Sequence, residues 1–243
     1  MKTPKLKLVV VALAATLATA QAQILIGVQF PGDGGSYTAL TSGETAGVVP
    51  QAHWNVQPGG FTPVSPLVDS TTGLASGVSY ALSGFTNLYH TTMTITTPDT
   101  KLLSGIIGPV SGIATITLSG LTDGTQYDFY LYAVNNGGSV GAKITAGGTS
   151  YYSTNQTAVE YAASPGFVQG TATTTGTRSV ANYVKFSGLT SSGTNLTVTV
   201  DGDSDYYPAF NGFQIQAVPE PATWALLAGG MTVVTILRRR RLR

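Results

Sequence analysis

The stretch Ala114-Thr115-Ile116-Thr117-Leu118-Ser119-Gly120-Leu121-Thr122-Asp123-Gly124-Thr125-Gln126-Tyr127-Asp128-Phe129-Tyr130-Leu131-Tyr132-Ala133-Val134 decides how the fold is read. Its first part alternates apolar residues with threonine, the period of a strand with one buried face. Its last part puts Tyr127, Phe129, Leu131 and Ala133 on one face and Asp128, Tyr130 and Tyr132 on the other. Ser119-Gly120 and Asp123-Gly124 supply the turns between them. Period two returns in Leu196-Thr197-Val198-Thr199-Val200 and in Phe213-Gln214-Ile215-Gln216-Ala217. Ile24-Leu25-Ile26-Gly27-Val28-Gln29-Phe30 reads as an opening strand, ended by Pro31-Gly32-Asp33-Gly34-Gly35. No part of residues 23–218 carries a helical apolar face. Short strands broken by Gly, Pro, Asn and Ser clusters predict an all-β protein, an antiparallel β-sandwich or jelly roll.

One phrase recurs outward from this stretch. Leu82-Ser83-Gly84-Phe85-Thr86, Leu118-Ser119-Gly120-Leu121-Thr122 and Phe186-Ser187-Gly188-Leu189-Thr190 share an apolar-Ser-Gly-apolar-Thr core. Their uneven spacing excludes a solenoid or propeller period. They read as structural elbows, where Ser-Gly turns the chain and the second apolar residue closes the sandwich edge.

The ends of the chain are of a different kind. Lys2, Lys5 and Lys7 precede an apolar run at residues 8–17, followed by the small-x-small sites Ala18-Thr19-Ala20 and Ala20-Gln21-Ala22. That is the layout of a secretory signal peptide over residues 1–22, with a mature chain starting at Gln21 or Gln23. At the other end, residues 222–237 form an uncharged run closed by Arg238, Arg239, Arg240 and Arg241. As a helix this run reaches about 24 Å, a short transmembrane span whose arginines stay cytoplasmic. Residues 23–217 therefore form the exported body, flanked by a signal peptide and by a C-terminal segment at residues 218–243.

With both ends set aside, residues 23–218 hold four basic residues against ten acids, a net charge of −6. Nucleic-acid binding needs a basic footprint, and the body has none. Cysteine is absent from the chain, which excludes thiol catalysis and thiolate metal sites.

The C-terminal segment also carries a resemblance. Val218-Pro219-Glu220-Pro221-Ala222-Thr223-Trp224-Ala225-Leu226-Leu227, then the apolar run and the arginine cluster, resembles the PEP-CTERM protein-sorting signal of bacteria. Thr232 and Thr235 make its span less apolar than Leu-rich examples. The resemblance implies recognition at Pro219, Glu220 and Pro221 by an exosortase-like processing enzyme after signal peptidase has acted. It further implies a transient stay in the inner membrane and delivery to the cell surface or extracellular matrix. The body resembles galactose-binding-like jelly-roll domains in its opening and closing strands. The stretch through Tyr127 also resembles the tyrosine corner of fibronectin type III domains. Trp54 is too far upstream to serve as that domain's core tryptophan.

Candidates for chemistry are few. His53 and His90 stand without a G-x-S-x-G elbow or an H-E-x-x-H helix anywhere in the chain, so no catalytic residue is assigned. Asp201, Asp203 and Asp205 offer hard oxygen ligands for Ca²⁺, the one candidate cofactor. The EF-hand pattern fails there, with Tyr206 in place of the turn glycine and Gly212 in place of the bidentate glutamate. Trp54, Tyr130, Tyr132 and Tyr207 are the candidate glycan-binding aromatics. Their alternative role is packing within and over the sheets.

Three functions fit these features. The first is a non-catalytic surface or matrix protein associated with extracellular polysaccharide. The second is a carbohydrate-binding, lectin-like module, and the third a secreted glycan-acting enzyme. The first is preferred because no convergent acid, base and nucleophile set is visible.

Overall fold

Alternation governs what the chain builds. The computed structural model describes residues 24–33, 37–109, 112–137, 141–202 and 208–219. Fifteen strands are present among them. They are β1 (Leu25–Gln29), β2 (Asn55–Val56), β3 (Ser79–Ser83), β4 (Asn87–His90), β5 (Gly105–Gly108), β6 (Ile113–Ser119), β7 (Gln126–Tyr132) and β8 (Val134–Asn135). β9 (Gly141–Ala146), β10 (Thr149–Thr157), β11 (Gln169–Gly170), β12 (Ser179–Ala181), β13 (Tyr183–Thr190), β14 (Leu196–Asp201) and β15 (Gly212–Ala217) complete the set. One sheet has the order β11-β13-β7-β15-β1-β2 and the other β12-β10-β9-β14-β6-β3, while β4 and β5 form a separate ribbon. The central pairings are antiparallel, as predicted. Four short pairings are parallel, namely β1 with β2, β10 with β12, β10 with β8 and β11 with β13. The sheets are therefore mixed, because brief segments of two or three residues return alongside longer strands without a hairpin.

The main core lies between the sheets. Ile26, Tyr127, Phe129, Leu131, Phe186, Phe213 and Ile215 from one sheet meet Tyr80, Ile116, Leu118, Ile144, Val198 and Val200 from the other. The quoted stretch thus folds as read, with Tyr127, Phe129 and Leu131 turned inward. Tyr127 also holds a corner, its hydroxyl accepting the Thr122 backbone N–H at 2.9 Å.

All three Ser-Gly phrases turn in the left-handed region, with φ of 77° at Gly84, 80° at Gly120 and 65° at Gly188. The apolar residues that follow, Phe85, Leu121 and Leu189, are buried in the core. At Gly120 a Cβ would stand 2.3 Å from the Gly77 carbonyl oxygen, so the turn needs glycine for space as well as for φ. The third phrase differs in position. Gly188 lies inside β13, where the register against β7 shifts between Phe186 and Leu189 as at a β-bulge.

A second apolar cluster covers the opposite face of the first sheet. Leu40, Trp54, Met93, Leu102, Leu103 and Tyr161 gather around Tyr132. Two one-turn helices belong to this cover, α1 (Pro98–Leu102) and α2 (Ala158–Ala163). Each starts from a capping box, Thr97 with Thr100 and Thr157 with Glu160, which explains how helices this short form without an amphipathic period. Polar outward residues are spent on fastening this cover. Gln29 donates to the Lys101 and Thr38 carbonyls at 2.7 and 3.0 Å and accepts from the Leu40 N–H at 2.8 Å. Gln214 donates to the Val49 carbonyl at 2.7 Å and accepts the Tyr132 hydroxyl.

Burial of phenols makes stability pH-dependent. Desolvation pushes Tyr37 up to about 12 and raises Tyr80 and Tyr132 further above the ordinary tyrosine value. A raised folded pKa means that the folded state keeps its proton when the unfolded state has lost it. Stability is thus fully present below about pH 10 and falls as pH rises through the folded values. Three such groups give a slope of up to about 4 kcal/mol per pH unit in that window. Urea midpoints measured from pH 8 to 11.5 should be flat to about pH 10 and then fall steeply. A flat profile to the end would contradict the buried phenols.

Candidate functional site

On β4, Asn87 and Tyr89 are two residues apart and share a face, while Leu88 between them packs on the main core. Across the ribbon Asn87 pairs with Gly108 and Tyr89 with Ile106. These four residues form the base and rim of a pocket of about 190 Å³. Asn135, Asn136, Gly137, Pro208 and Ala209 line it as well. Gly108 allows Pro208 to close in, since a Cβ there would stand 2.1 Å from the Pro208 carbonyl oxygen. Among the described residues the lining holds no charged residue, and Tyr89 is 53% exposed.

Beside this pocket the loops are cross-braced. His90 Nδ1 pairs with Asp33 Oδ1. The Asn136 amide donates to the His90 carbonyl at 2.7 Å and accepts the Thr92 N–H. Asn211, fully buried, donates to the Leu103, Gly105 and Val134 carbonyls and accepts the Val134 N–H. Asn155 donates to the Ala209 carbonyl at 2.7 Å. A second depression, of about 370 Å³, is lined by residues that include Gly147, Leu189, Ser192 and Asn195 and by no aromatic ring.

The aromatics singled out from the sequence are placed differently from a shared groove. Trp54 and Tyr132 do meet, edge to face at 6.3 Å between centroids, but inside the second cluster. Trp54 donates from Nε1 to the Gln51 carbonyl at 3.0 Å, and the Tyr132 hydroxyl accepts the Val48 N–H at 2.8 Å. Both rings are buried in that cluster, which is why neither offers a face to a sugar. Tyr130 does point away from the main core, as its alternation requires, yet it too is buried, under Tyr183 and beneath the Lys185 ammonium at 5.2 Å. Lys185 in turn pairs with Asp128 at 2.7 Å. Tyr207 lies outside the described residues.

The two histidines lie in different segments, His53 in a loop and His90 at the end of β4. His53 is exposed with a positive φ of 51° and reaches the Ser70 carbonyl at 3.4 Å. His90 is held by Asp33, and no hydroxyl side chain bonds to either ring among the described residues. Asp201 ends β14 opposite Lys143, whereas Asp203 and Asp205 lie outside the described residues. Among the described residues no group of three or more potential ligands is clustered for a metal ion. The Tyr89 pocket was not read from the sequence. Its one signal was Asn87-x-Tyr89 facing a Gly-Ile-Ile-Gly strand, and the pairing of those segments spans α1.

The chain leaves the sandwich at its last strand. Val218 donates its backbone N–H to the Gln126 carbonyl at 2.8 Å, and Pro219 beyond it is exposed. The remainder of the C-terminal segment, with Glu220, Pro221 and Arg238 to Arg241, lies outside the described residues, as do residues 1–23. Among the described residues no helix is long and apolar enough to cross a membrane.

After the last strand the sequence runs into Pro-Glu-Pro, a short apolar run and a basic cluster, the layout of a C-terminal sorting signal. That signal is PEP-CTERM: residues 217–241 match the family described as the PEP-CTERM protein-sorting motif. The motif implies an exported, exosortase-sorted chain with a membrane-anchored precursor. No curated protein matches the chain. Three solved structures resemble the body at a distance. The protein YXIM of Bacillus subtilis is 10% identical with a TM-score of 0.41, over 80% of this chain and 40% of that one. The CBM36-1 domain of a multidomain xylanase from the hindgut metagenome of Trinervitermes trinervoides is 11% identical with a TM-score of 0.31, over 58% and 98%. An exo-β-1,3-galactanase of Phanerochaete chrysosporium, solved with galactose, is 14% identical with a TM-score of 0.31, over 61% and 32%.

Proposed function

We propose that this chain is a non-catalytic protein of the cell surface or extracellular matrix, sorted through its tail and associated there with exopolysaccharide. Signal peptidase removes residues 1–22, and an exosortase-like enzyme removes the tail near Pro219-Glu220-Pro221, releasing the body. The observation that carries the reading is the sorting motif at residues 217–241. Two features support it. The last backbone hydrogen bond to β7 is made by Val218, and Pro219, the first residue of the Pro-Glu-Pro, is exposed. The body is acidic and sparsely charged, which suits solubility outside the cell and gives no footprint for nucleic acid.

Mass spectrometry of the C-terminus in cells with and without the exosortase-like enzyme tests this. In its presence the mature chain should end near Pro219 to Pro221 and be found outside the membrane fraction. In its absence Arg243 should be retained in the membrane. Replacing Pro219, Glu220 and Pro221 together by alanine should give the second result even when the enzyme is present. A mature chain that keeps Arg243 in every case would make the tail a plain anchor.

A further inference from the structure

We propose that the pocket on the β4–β5 ribbon is a subsite for a single neutral sugar ring, the terminal residue or side branch of a polysaccharide. This assignment deepens, and rests on, the reading of the body as polysaccharide-associated. A sugar ring is amphipathic, with C–H faces that lie on flat apolar groups and hydroxyls at its edge that need donors and acceptors. Tyr89 supplies the flat group, more than half exposed at the rim, and Ile106, Gly108 and Pro208 supply an apolar base and wall. Asn87 shares the Tyr89 face, and its amide has no partner among the described residues.

The deeper polar group is Asn135, only 4% exposed. Its Oδ1 accepts the Gly137 N–H at 2.9 Å, but its Nδ2 is without an acceptor among the described residues. That atom is closed to water, so a ligand hydroxyl reaches it only when the Asn135 side chain turns into the pocket it lines.

Charge and size narrow the ligand. Among the described residues the lining is uncharged, and the body carries −6, which disfavours uronates and other anionic sugars. A volume of about 190 Å³ lies below the roughly 300–1,000 Å³ typical of drug-sized ligands, so the pocket takes one ring.

The test titrates the full chain, in a zwitterionic detergent free of sugar headgroups, with the methyl glycosides of glucose, galactose and mannose, with glucuronate and with p-cresol. Side-chain amide shifts of Asn87 and Asn135 are followed by NMR. The cells' own neutral exopolysaccharide is tested alongside by affinity electrophoresis. At least one methyl glycoside should shift both amides with a Kd on the order of millimolar. Tyr89→Ala, at an exposed position, should weaken that binding by about tenfold, whereas Tyr89→Phe should keep it. Glucuronate should not bind. If the exopolysaccharide retards wild type and Tyr89→Ala equally, the pocket is refuted while the polysaccharide reading stands. If neither glycoside nor exopolysaccharide binds wild type, both are refuted. Shifts with p-cresol and none with glycosides would make this an apolar site and refute the sugar assignment.

Discussion

Phe213→Ala should lower folding stability by about 3–5 kcal/mol, the range for truncating a fully buried phenylalanine. The ring lies on β15 in the first sheet, stacks on Phe129 at 5.5 Å and meets Phe30 at 5.9 Å. It also meets Tyr80 of the opposite sheet edge to face at 5.5 Å. It is thus a joint between the two layers, and its removal leaves a cavity that neither rigid sheet can collapse to fill. Tyr80 would suffer as well, because its hydroxyl is fixed to Gln57 Oε1 at 2.6 Å and its ring cannot follow into the void. Natural domains are stable by roughly 5–15 kcal/mol, so the loss is a large share of the total. Phe213→Leu, which keeps most of the volume, should cost less than half as much. Urea unfolding followed by near-UV circular dichroism would measure both. Equal, small losses for the two variants would mean that the ring does not join the sheets.

Phe213 also shows what period two can and cannot disclose. Alternation put Phe213 and Ile215 inward and Gln214 and Gln216 outward, and the structure agrees on direction. Outward need not mean solvent, and for Gln214 it does not, because residues 37–56 and α1 lie over that face. The same cover accounts for Trp54 and Tyr132. A strand's period reports which of two faces a residue takes, but the layer above the second face comes from segments without a period. Leu40, Met93, Leu102 and Tyr161 are scattered in sequence and converge only once β1, β7 and β15 have paired. The first strand carried a hint in its near-continuous apolar run, since Leu25 and Gly27 as well as Ile26 and Val28 are buried.

The Tyr89 pocket was illegible for a related reason. β4 is four residues long and is completed by β5 fifteen residues further on, after a helix that only a capping box announces. The elbows were legible because their geometry is local: Ser-Gly turns the chain wherever it occurs. The sorting signal was legible because its parts are contiguous and are recognised as sequence.

The second large effect is expected at Asn211, where one buried amide ties four backbone groups. Its Oδ1 accepts the Val134 N–H, and its Nδ2 lies within 2.8 to 3.1 Å of the carbonyls of Gly105, Leu103 and Val134. These groups belong to β8, to β5 and to the residue that ends α1. The side chain therefore stands in for a strand at a place where three irregular segments meet and cannot pair with each other. Asn211→Ala should cost about 3–6 kcal/mol, because each orphaned buried backbone group loses about 1–3 kcal/mol and not all can find water. Asn211→Asp should be nearly as harmful. It keeps the acceptor for Val134 but sets a carboxylate against the carbonyls that the amide now serves as donor. If the loss were simply one of volume, Asn211→Leu would restore stability. It should not, since an isobutyl group offers no donor to Leu103 or Gly105. The pocket gives a second readout, because Gly105 opens β5 and Val134 precedes Asn135. Hydrogen exchange should quicken first in residues 105–108 and 134–137 in these variants, ahead of β6 and β14. Uniform loss of protection across both sheets would show instead that Asn211 acts on the whole sandwich rather than on the ribbon and wall that frame the Tyr89 pocket.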